Sequence, residues 1–220
     1  MRLTFDFPAA SGAPRRLRLE DPVEVHVAHR LEEVRPALAA LEAARARGLT
    51  VAGYLAYEAA PAFEPRMRVR TGNRMPRLWF GAFTEARELP APDEGGAPPE
   101  TGPADTPTGG VDADGGGGGA GAGHARSRPD GTPPEGWSTE MPRARYEAAV
   151  ARVREAIAEG RTYQVNLTTR LRALAREDPP ALYERLRAAQ GAGFHALLEL
   201  GGFTIVSASP ELFFRTRDGV

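Results

Sequence analysis

Two amide side chains stand side by side on one face of a predicted strand. In "RTYQVNLTTRLRA", residues 161–173, polar and apolar residues alternate with the period of a β-strand. Gln164 and Asn166 share one face, and Val165 and Leu167 share the other. An ordinary half-exposed strand carries charges on its wet face. We therefore interpret the two amides as inward-facing groups that satisfy buried backbone or side-chain polar atoms.

Other residue types that can do chemistry are sparse. Glu58 and Glu64 lie near one another in a proline-containing loop, where two carboxylates can form an acid/base pair or bind Mg²⁺. We favour hydrogen bonds from these carboxylates to loop amides. The four histidines lack the spacing of a transition-metal site, and the chain contains no cysteine. All 28 basic residues are arginine, so no lysine nucleophile lies within the chain.

Composition narrows the class of protein. The 220 residues are 41% hydrophobic and carry a net charge of −1, which argues against binding to nucleic acid or to an anionic membrane surface. No apolar run approaches the roughly 20 residues that span a bilayer. The N-terminus has an acidic residue, Asp6, and no long apolar core, so it is not a signal peptide. We expect a cytoplasmic protein without a membrane or nucleic-acid partner.

Composition also divides the chain into three parts. Residues 89–136 hold 14 of the 25 glycines and 9 of the 20 prolines, with no aromatic residue. Such a segment buries too little apolar surface to offset the entropy of ordering it. We predict a disordered insertion at 89–136 between an N-terminal part, residues 1–88, and a second structured part, residues 137–220.

Hydrophobic spacing predicts the elements that hold the candidate residues in place. Three helices are expected, over residues 31–47, 141–159 and 180–190, with Gly48 and Gly160 ending the first two and Ser138 or Thr139 capping the second. Strands are expected around residues 23–29, 50–57, 77–83 and 161–171. A hairpin is expected to turn at Gly201-Gly202. Strands outnumber helices and come in pairs, which is typical of an α+β fold with packed sheets.

The last residues indicate a longer protein. "ELFFRTRDGV" is predicted as a strand running into a turn at Asp218-Gly219. The second strand of that hairpin does not follow. Because domains rarely stop halfway through a hairpin, we expect the chain to be the N-terminal piece of a longer protein.

Three stretches carry a family resemblance. They are "GYLAYEAAPAFEP" at 53–65, "GRTYQVNLTTRL" at 160–171 and "SASPELFFR" at 207–215. In order and spacing they resemble the chorismate-utilising enzymes, most closely the component I branch of the aminodeoxychorismate synthases. The resemblance extends over the whole chain apart from the insertion.

This resemblance implies a fold, a reaction and partners. The fold is a four-layer α/β/β/α arrangement built on an orthogonal β-sandwich, here incomplete at the C-terminus. The reaction replaces the ring 4-hydroxyl of chorismate with an amine, a step toward p-aminobenzoate and folate, using Mg²⁺ and ammonia from a glutamine amidotransferase partner. Most chorismate ligands, the Mg²⁺ ligands and the lysine nucleophile are expected beyond Val220. Residues 1–220 alone are therefore expected to be inactive.

One catalytic residue of the family maps onto this chain. The glutamate of the Ser-Pro-Glu motif corresponds to Glu211, and the resemblance implies that it is the proton donor. Hydroxide is a poor leaving group, so a carboxylic acid that protonates it as it departs accelerates the reaction. The alternative is that Ser209-Pro210 forms a turn and Glu211 is a solvated residue at the start of a strand. The resemblance also gives Gln164 and Asn166 an alternative role in contacting chorismate, although we favour the structural one.

A regulatory site is the second feature that the family implies. Some relatives bind tryptophan in a pocket built partly by a proline-aromatic segment before the Ser-Pro-Glu hairpin, and that segment corresponds to Gly193, Phe194 and His195. Glycine replaces the proline here, and the Leu-Leu-Glu-Ser string of tryptophan-regulated enzymes is absent near the N-terminus. We therefore interpret Phe194 as a core residue and His195 as a hydrogen-bonded structural residue.

Two alternatives to the chorismate aminase stay open. An anthranilate synthase component I would use the same pocket and expel pyruvate. A non-catalytic module that docks the glutamine amidotransferase would need no active site. A lysine before a Gly-Thr pair beyond Val220 would favour the aminase, and a glutamine there would favour the anthranilate enzyme.

Overall fold

The computed structural model describes residues 1–8, 14–72, 74–90, 136–175, 177–191 and 193–216. The chain divides into two compact units. The first unit comprises Met1–Asp105 and Glu177–Val220, and the second comprises Thr106–Arg176. The first unit thus draws on residues from both sides of the predicted insertion. Mixed helices and sheets give the α+β class that the sequence predicts.

A five-stranded antiparallel sheet forms one layer of the first unit. Its strands, in spatial order β10-β9-β1-β2-β6, are Thr204–Ser209, Phe194–Glu199, Arg2–Phe7, Arg15–Glu20 and Arg87–Leu89. The first two strands of the chain, β1 and β2, are additional to the predicted ones, and their sequences are "RLTFDF" and "RRLRLE". Pairing with β9 gives β1 a neighbour from nearly 200 residues further along the chain.

A three-stranded antiparallel sheet and a helix form the other half of this unit. The strands, in the order β3-β5-β4, are Glu24–Ala28, Leu78–Phe83 and Thr50–Leu55, and the helix α1 is Leu31–Ala46. The three strands and the helix lie where the sequence predicts them, to within a few residues. The helix packs its apolar stripe on this sheet, where Val34 shares a fully buried cluster with Ala28 and Leu78. Gly48 follows the helix with φ of +88°, the left-handed conformation in which glycine commonly ends helices.

The two sheets share a hydrophobic core. Successive residues of a strand face opposite ways, so Trp79 and Phe83, four positions apart in β5, lie on the same face. That face is directed toward the first sheet. They pack against residues of β1, β2, β9 and the β9–β10 turn, and the buried members of this cluster are Leu3, Leu19, Trp79, Phe83, Leu198 and Leu200. This cluster is the main apolar core of the first unit.

The β9–β10 hairpin and the helix α3 (Pro179–Gln190) confirm two further predictions. The hairpin turns at Gly201, whose φ of +87° is one that side-chain-bearing residues rarely adopt. The helix lies on the face of the first sheet opposite the apolar core, and its Tyr183 is only 2% exposed.

The second unit contains one helix and a small two-stranded sheet. The helix α2 is Arg143–Ala158, and the strands β7 and β8 are Trp137–Thr139 and Leu171–Ala173. The helix lies within its predicted range, and Gly160 follows it with a positive φ. The predicted cap is wrong: the N-cap position is Pro142, and the Thr139 hydroxyl instead bonds the backbone of Met141.

Two predicted strands are also wrong. Residues 162–170 are irregular, and only Leu171–Ala173 forms a ladder, with Trp137–Thr139. Residues 212–216, which include two exposed phenylalanines, form no strand. Alternation shows which side chains would share a face, but a strand also needs a neighbour for its backbone N–H and C=O groups. The predicted turn at Asp218-Gly219 and residues 91–135 of the predicted insertion lie outside the described residues.

Candidate active site

The Ser-Pro-Glu motif forms a turn at the end of a paired strand. The strand β10 ends at Ser209, which lies opposite Phe194 in the hairpin ladder. The Ser209 hydroxyl accepts the backbone N–H of Glu211 at 3.3 Å and donates to the carbonyl oxygen of Glu211 at 3.0 Å. A serine hydroxyl that bonds the backbone two residues later is a recurrent way to stabilise a turn. The Glu211 side chain is exposed in this turn, two residues after the end of the hairpin strand.

The predicted effector segment lies beside this turn. Phe194 is half-buried in β9, and His195, the next residue, is paired with Ala208 on one side and Asp6 on the other. Gly193 is buried just before the strand. The structure therefore brings Gly193, Phe194 and His195 next to the strand that carries the Ser-Pro-Glu motif. The interpretation that this segment is structural and not a tryptophan site stays a prediction.

A buried ionic network lies between the first sheet and α3. Asp6 is 8% exposed and accepts the hydroxyl of Tyr183 at 2.5 Å. Its other oxygen lies 3.1 Å from Nε of Arg16, close enough for an ion pair although the angle is not that of a hydrogen bond. The guanidinium of Arg16 also bonds Glu184 on α3 and lies 5.6 Å from the centre of the Tyr183 ring. The network ties two strands to the helix by polar contacts.

Tyr183→Phe tests the strength of this attachment. The substitution keeps the buried ring but removes the hydroxyl that Asp6 accepts, so one carboxylate oxygen loses its donor in a buried site. We expect the free energy of unfolding to fall by about 1–3 kcal/mol. The measurement is urea unfolding of the chain, with Tyr57→Phe as the matched control because Tyr57 is 93% exposed. Equal stabilities of the two variants would show that the bond contributes nothing.

His195 is a buried histidine at the edge of this network. Its side chain is 4% exposed, and its Nε2 atom has no hydrogen-bond partner among the residues that the structure describes. Burial lowers the pKa of His195 below its usual value, because removing the imidazolium from water disfavours the charged form. Asp6 and Glu184 oppose this shift, whereas Arg187 adds to it. The prediction that His195 is hydrogen-bonded is therefore not met through Nε2.

The lowered pKa makes stability depend on pH. In the unfolded chain a histidine takes up a proton near pH 6.5, whereas folded His195 stays neutral to a lower pH. Protons therefore bind the unfolded state more readily, and the free energy of unfolding should fall as the pH drops below about 6.5 toward the folded pKa. Urea unfolding between pH 7.5 and 5.0 measures this slope. His195→Asn should flatten it, while His29→Asn at an exposed position should not; an unchanged slope in His195→Asn would contradict the assignment.

The two amides do not lie in a sheet interior. Gln164 and Asn166 are both exposed, in the irregular segment of the second unit, and the backbone carbonyl of Gln164 accepts the hydroxyl of Thr162 at 3.0 Å. The prediction that they face inward on a strand is therefore wrong for the described residues, since that strand does not form. Their contact with chorismate remains a prediction.

Of the two loop glutamates, Glu64 accepts hydrogen bonds through its carboxylate. Glu58 lies in a 3₁₀ helix, Tyr57–Ala62, and its backbone carbonyl accepts the guanidinium of Arg77 at 2.6 Å. Glu64 accepts the backbone N–H and the guanidinium of Arg66, which lowers the pKa of Glu64. For Glu64 the favoured interpretation, a bond to a loop amide, is confirmed.

No group of residues in the described ranges fits a metal ion. Within residues 1–8, 14–72, 74–90, 136–175, 177–191 and 193–216, no three His, Asp or Glu side chains converge as ligands. The Mg²⁺ that the family resemblance implies, with ligands beyond Val220, stays a prediction. None of the helices in the same ranges is long and apolar enough to cross a membrane.

The residues that the sequence did not single out are those of the ionic network. Asp6, Arg16 and Tyr183 are separated by up to 177 positions, and no local spacing connects them. One signal was present: Asp6 stands within an otherwise alternating strand, on the same face as Thr4 and opposite Leu3. A charged residue in such a pattern indicates either a solvated face or a buried partner. Only the position of α3 distinguishes the two.

Comparison with known proteins places these features in a family. No solved structure matches the chain. Anthranilate synthase component 1 3 from Haloarcula marismortui is 27% identical over 171 residues, which cover 73% of this chain and 34% of that relative. Aminodeoxychorismate synthase from Streptomyces pristinaespiralis is 42% identical over 71 residues, covering 32% of this chain and 10% of the relative. Aminodeoxychorismate synthase component 1 from Salmonella typhimurium is 36% identical over 83 residues, covering 38% and 18%.

The chain thus spans about a third or less of the length of each of these relatives. The family model described as chorismate binding enzyme matches residues 3–220, which is nearly the whole chain. The match includes both compact units, the Ser209–Glu211 turn and the segment that precedes it. The chain belongs to the chorismate binding enzyme family.

Proposed function

We propose that the full-length protein containing this chain converts chorismate and ammonia into 4-amino-4-deoxychorismate and water. A glutamine amidotransferase partner supplies the ammonia. Glu211 protonates the ring 4-hydroxyl as its bond to carbon breaks, so that water rather than hydroxide departs. Residues 1–220 contain no lysine, so the lysine nucleophile that the family resemblance implies comes from outside them.

The match of residues 3–220 to the chorismate binding family carries the proposal. The role of Glu211 rests on the resemblance of the Ser-Pro-Glu motif. In the structure this motif forms a turn at the end of a hydrogen-bonded hairpin, and the Glu211 side chain is exposed there. The string "YEAAPAF" at 57–63 favours the aminodeoxychorismate branch. The relative from Streptomyces pristinaespiralis that carries the aminodeoxychorismate name is 42% identical over 71 residues.

Product analysis tests the proposal. The full-length protein is incubated with chorismate, ammonium and Mg²⁺, and the products are separated and identified by mass. We expect 4-amino-4-deoxychorismate and no pyruvate. Formation of anthranilate with one pyruvate for each chorismate consumed would overturn the aminase in favour of the second candidate. Absence of both products would refute the proposed function.

Anthranilate formation is the second candidate because one observation favours it. The relative from Haloarcula marismortui aligns with 73% of this chain, more than either aminodeoxychorismate relative, and it carries the anthranilate synthase name. The same acid group would serve this reaction, since it also begins by displacing the ring hydroxyl. Pyruvate release therefore distinguishes the two activities.

The proposal extends to the fold and the cofactor. A four-layer α/β/β/α arrangement is supported by α1 on the outer face of the three-stranded sheet and α3 on the outer face of the five-stranded sheet. We place the Mg²⁺ ligands and most chorismate ligands outside residues 1–220, as the family resemblance implies. We also place the enzyme in the cytoplasm.

A further inference from the structure

Gly193 lies where a side chain would collide with the Ser-Pro-Glu turn. A Cβ atom built on Gly193 would lie 2.8 Å from the backbone oxygen of Ser209 and 3.2 Å from Cε1 of His195. The first contact is shorter than real Cβ atoms show, and it involves backbone that cannot rotate away. The φ of Gly193 is not in the left-handed region. In this chain a side chain at position 193 would therefore force the Ser209 backbone to shift, and the restriction comes from space and not from the backbone conformation of Gly193.

The Ser209 carbonyl that fills this space leads directly into Glu211. Ser209 is the last residue of β10, and its hydroxyl bonds both the N–H and the carbonyl of Glu211. Pro210 stands between them with a fixed φ. A shift of the Ser209 backbone is therefore passed to Glu211 by a short, internally bonded turn. On the other side of this space lies His195, whose ring is buried and whose backbone pairs with Ala208 in the hairpin.

We infer that Gly193 is a positioning residue for Glu211. Because Gly193 has no side chain, the carbonyl oxygen of Ser209 can occupy the space beside it. The position of this carbonyl fixes the turn, and the turn fixes the position of the Glu211 carboxyl relative to the substrate. The inference rests on the proposed function, because it assigns Glu211 the proton transfer. It gives the glycine that replaces the family's proline a role in catalysis.

The test compares two glycine-to-alanine substitutions in the full-length protein. Gly193→Ala introduces the collision, whereas Gly202→Ala is the matched control, since a Cβ there meets nothing within 4 Å and Gly202 also lacks a left-handed φ. A displacement of about 1 Å at a reacting group can cost about 10²-fold in rate. We expect Gly193→Ala to lower kcat for chorismate amination by about 10- to 100-fold with KM for chorismate within about twofold. Gly202→Ala should stay within about twofold in both.

A double-mutant cycle separates positioning from a general structural effect. If Gly193 acts through Glu211, then Gly193→Ala added to Glu211→Gln should cause almost no further loss, because the group that it positions can no longer transfer a proton. A loss that is as large in the Glu211→Gln background as in the wild type would overturn the inference. So would a Gly193→Ala variant with the kcat of Gly202→Ala.

Ser209→Ala provides a second variant should Gly193→Ala not fold. It adds no atoms and removes the hydroxyl that bonds Glu211, so it loosens the same turn without a collision. The expected pattern is again a lower kcat, an unchanged KM and no further loss in the Glu211→Gln background, and wild-type kcat would overturn the inference. A wild-type protein that aminates no chorismate would refute the proposed function itself, and with it this inference, before any variant is compared.

Discussion

Replacing Glu211 with glutamine in the full-length protein is expected to lower kcat for chorismate amination by about 10²–10⁴-fold. Glutamine keeps the shape of the side chain and part of its hydrogen bonding, but it cannot transfer a proton to the departing oxygen. The interaction is made mainly in the transition state, so KM for chorismate should change little. The measurement is ammonia-dependent product formation by the full-length protein without its partner.

Two controls accompany this experiment. Glu42→Gln makes the same chemical change at an exposed position on α1 and should leave kcat unchanged. Glutamine hydrolysis by the isolated partner should be unaffected, because the change lies in another polypeptide. If Glu211→Gln retains more than about a third of the wild-type kcat, Glu211 is a solvated residue of the turn and not the proton donor.

The second large effect is expected at Phe83, in the core between the two sheets. Its side chain is fully buried and packs with Trp79, Leu3 and Leu198. Phe83→Ala removes this apolar surface from the core and leaves a cavity, since the two sheets can close over it only in part. Such substitutions cost about 3–5 kcal/mol. For a chain of this size we expect the thermal midpoint to fall by about 10 °C.

Phe213→Ala is the matched control for that substitution. It removes the same atoms from a side chain that is 94% exposed, so the thermal midpoint of the 220-residue chain should move by less than about 2 °C. Calorimetry of the two variants and the wild type gives the comparison. Similar midpoints for Phe83→Ala and Phe213→Ala would mean that the sheets do not pack through Phe83 in solution.

The elements that could be predicted are those that local sequence encodes. The helix at Leu31–Ala46 has a one-sided apolar stripe and a terminating Gly48, and both signals lie within a few turns of chain. The hairpin at Gly201 likewise depends on neighbouring residues. The segment at 162–170 failed as a strand although its alternation was regular, because a ladder also depends on a partner strand. Without that strand the amides Gln164 and Asn166 are exposed, whereas the alternation predicts that they face inward.

In the candidate site, too, local sequence predicts one feature and long-range packing determines another. Glu211 was identified from a motif of three consecutive residues that resembles a known family, and the turn that carries it is closed by its own Ser209. The space that Gly193 leaves for that turn was not predictable. Gly193 and Ser209 are 16 positions apart, and their contact depends on the hairpin register. The sequence shows only that Gly193 departs from the proline of the family. The packing of Ser209 against Gly193 explains why a residue without a side chain fits there.

By itself the sequence determined that this protein is an α+β member of a chorismate-utilising family with one local acid candidate, because short motifs and short-range periodicity carry that information. Tertiary structure alone decided that Asp6, which reads as a wet-face charge, is buried beneath Tyr183, and that β1 lies between strands from opposite ends of the chain. The physical reason is that the burial of a charge depends on what packs over it. Here that partner is a helix 177 residues away in sequence.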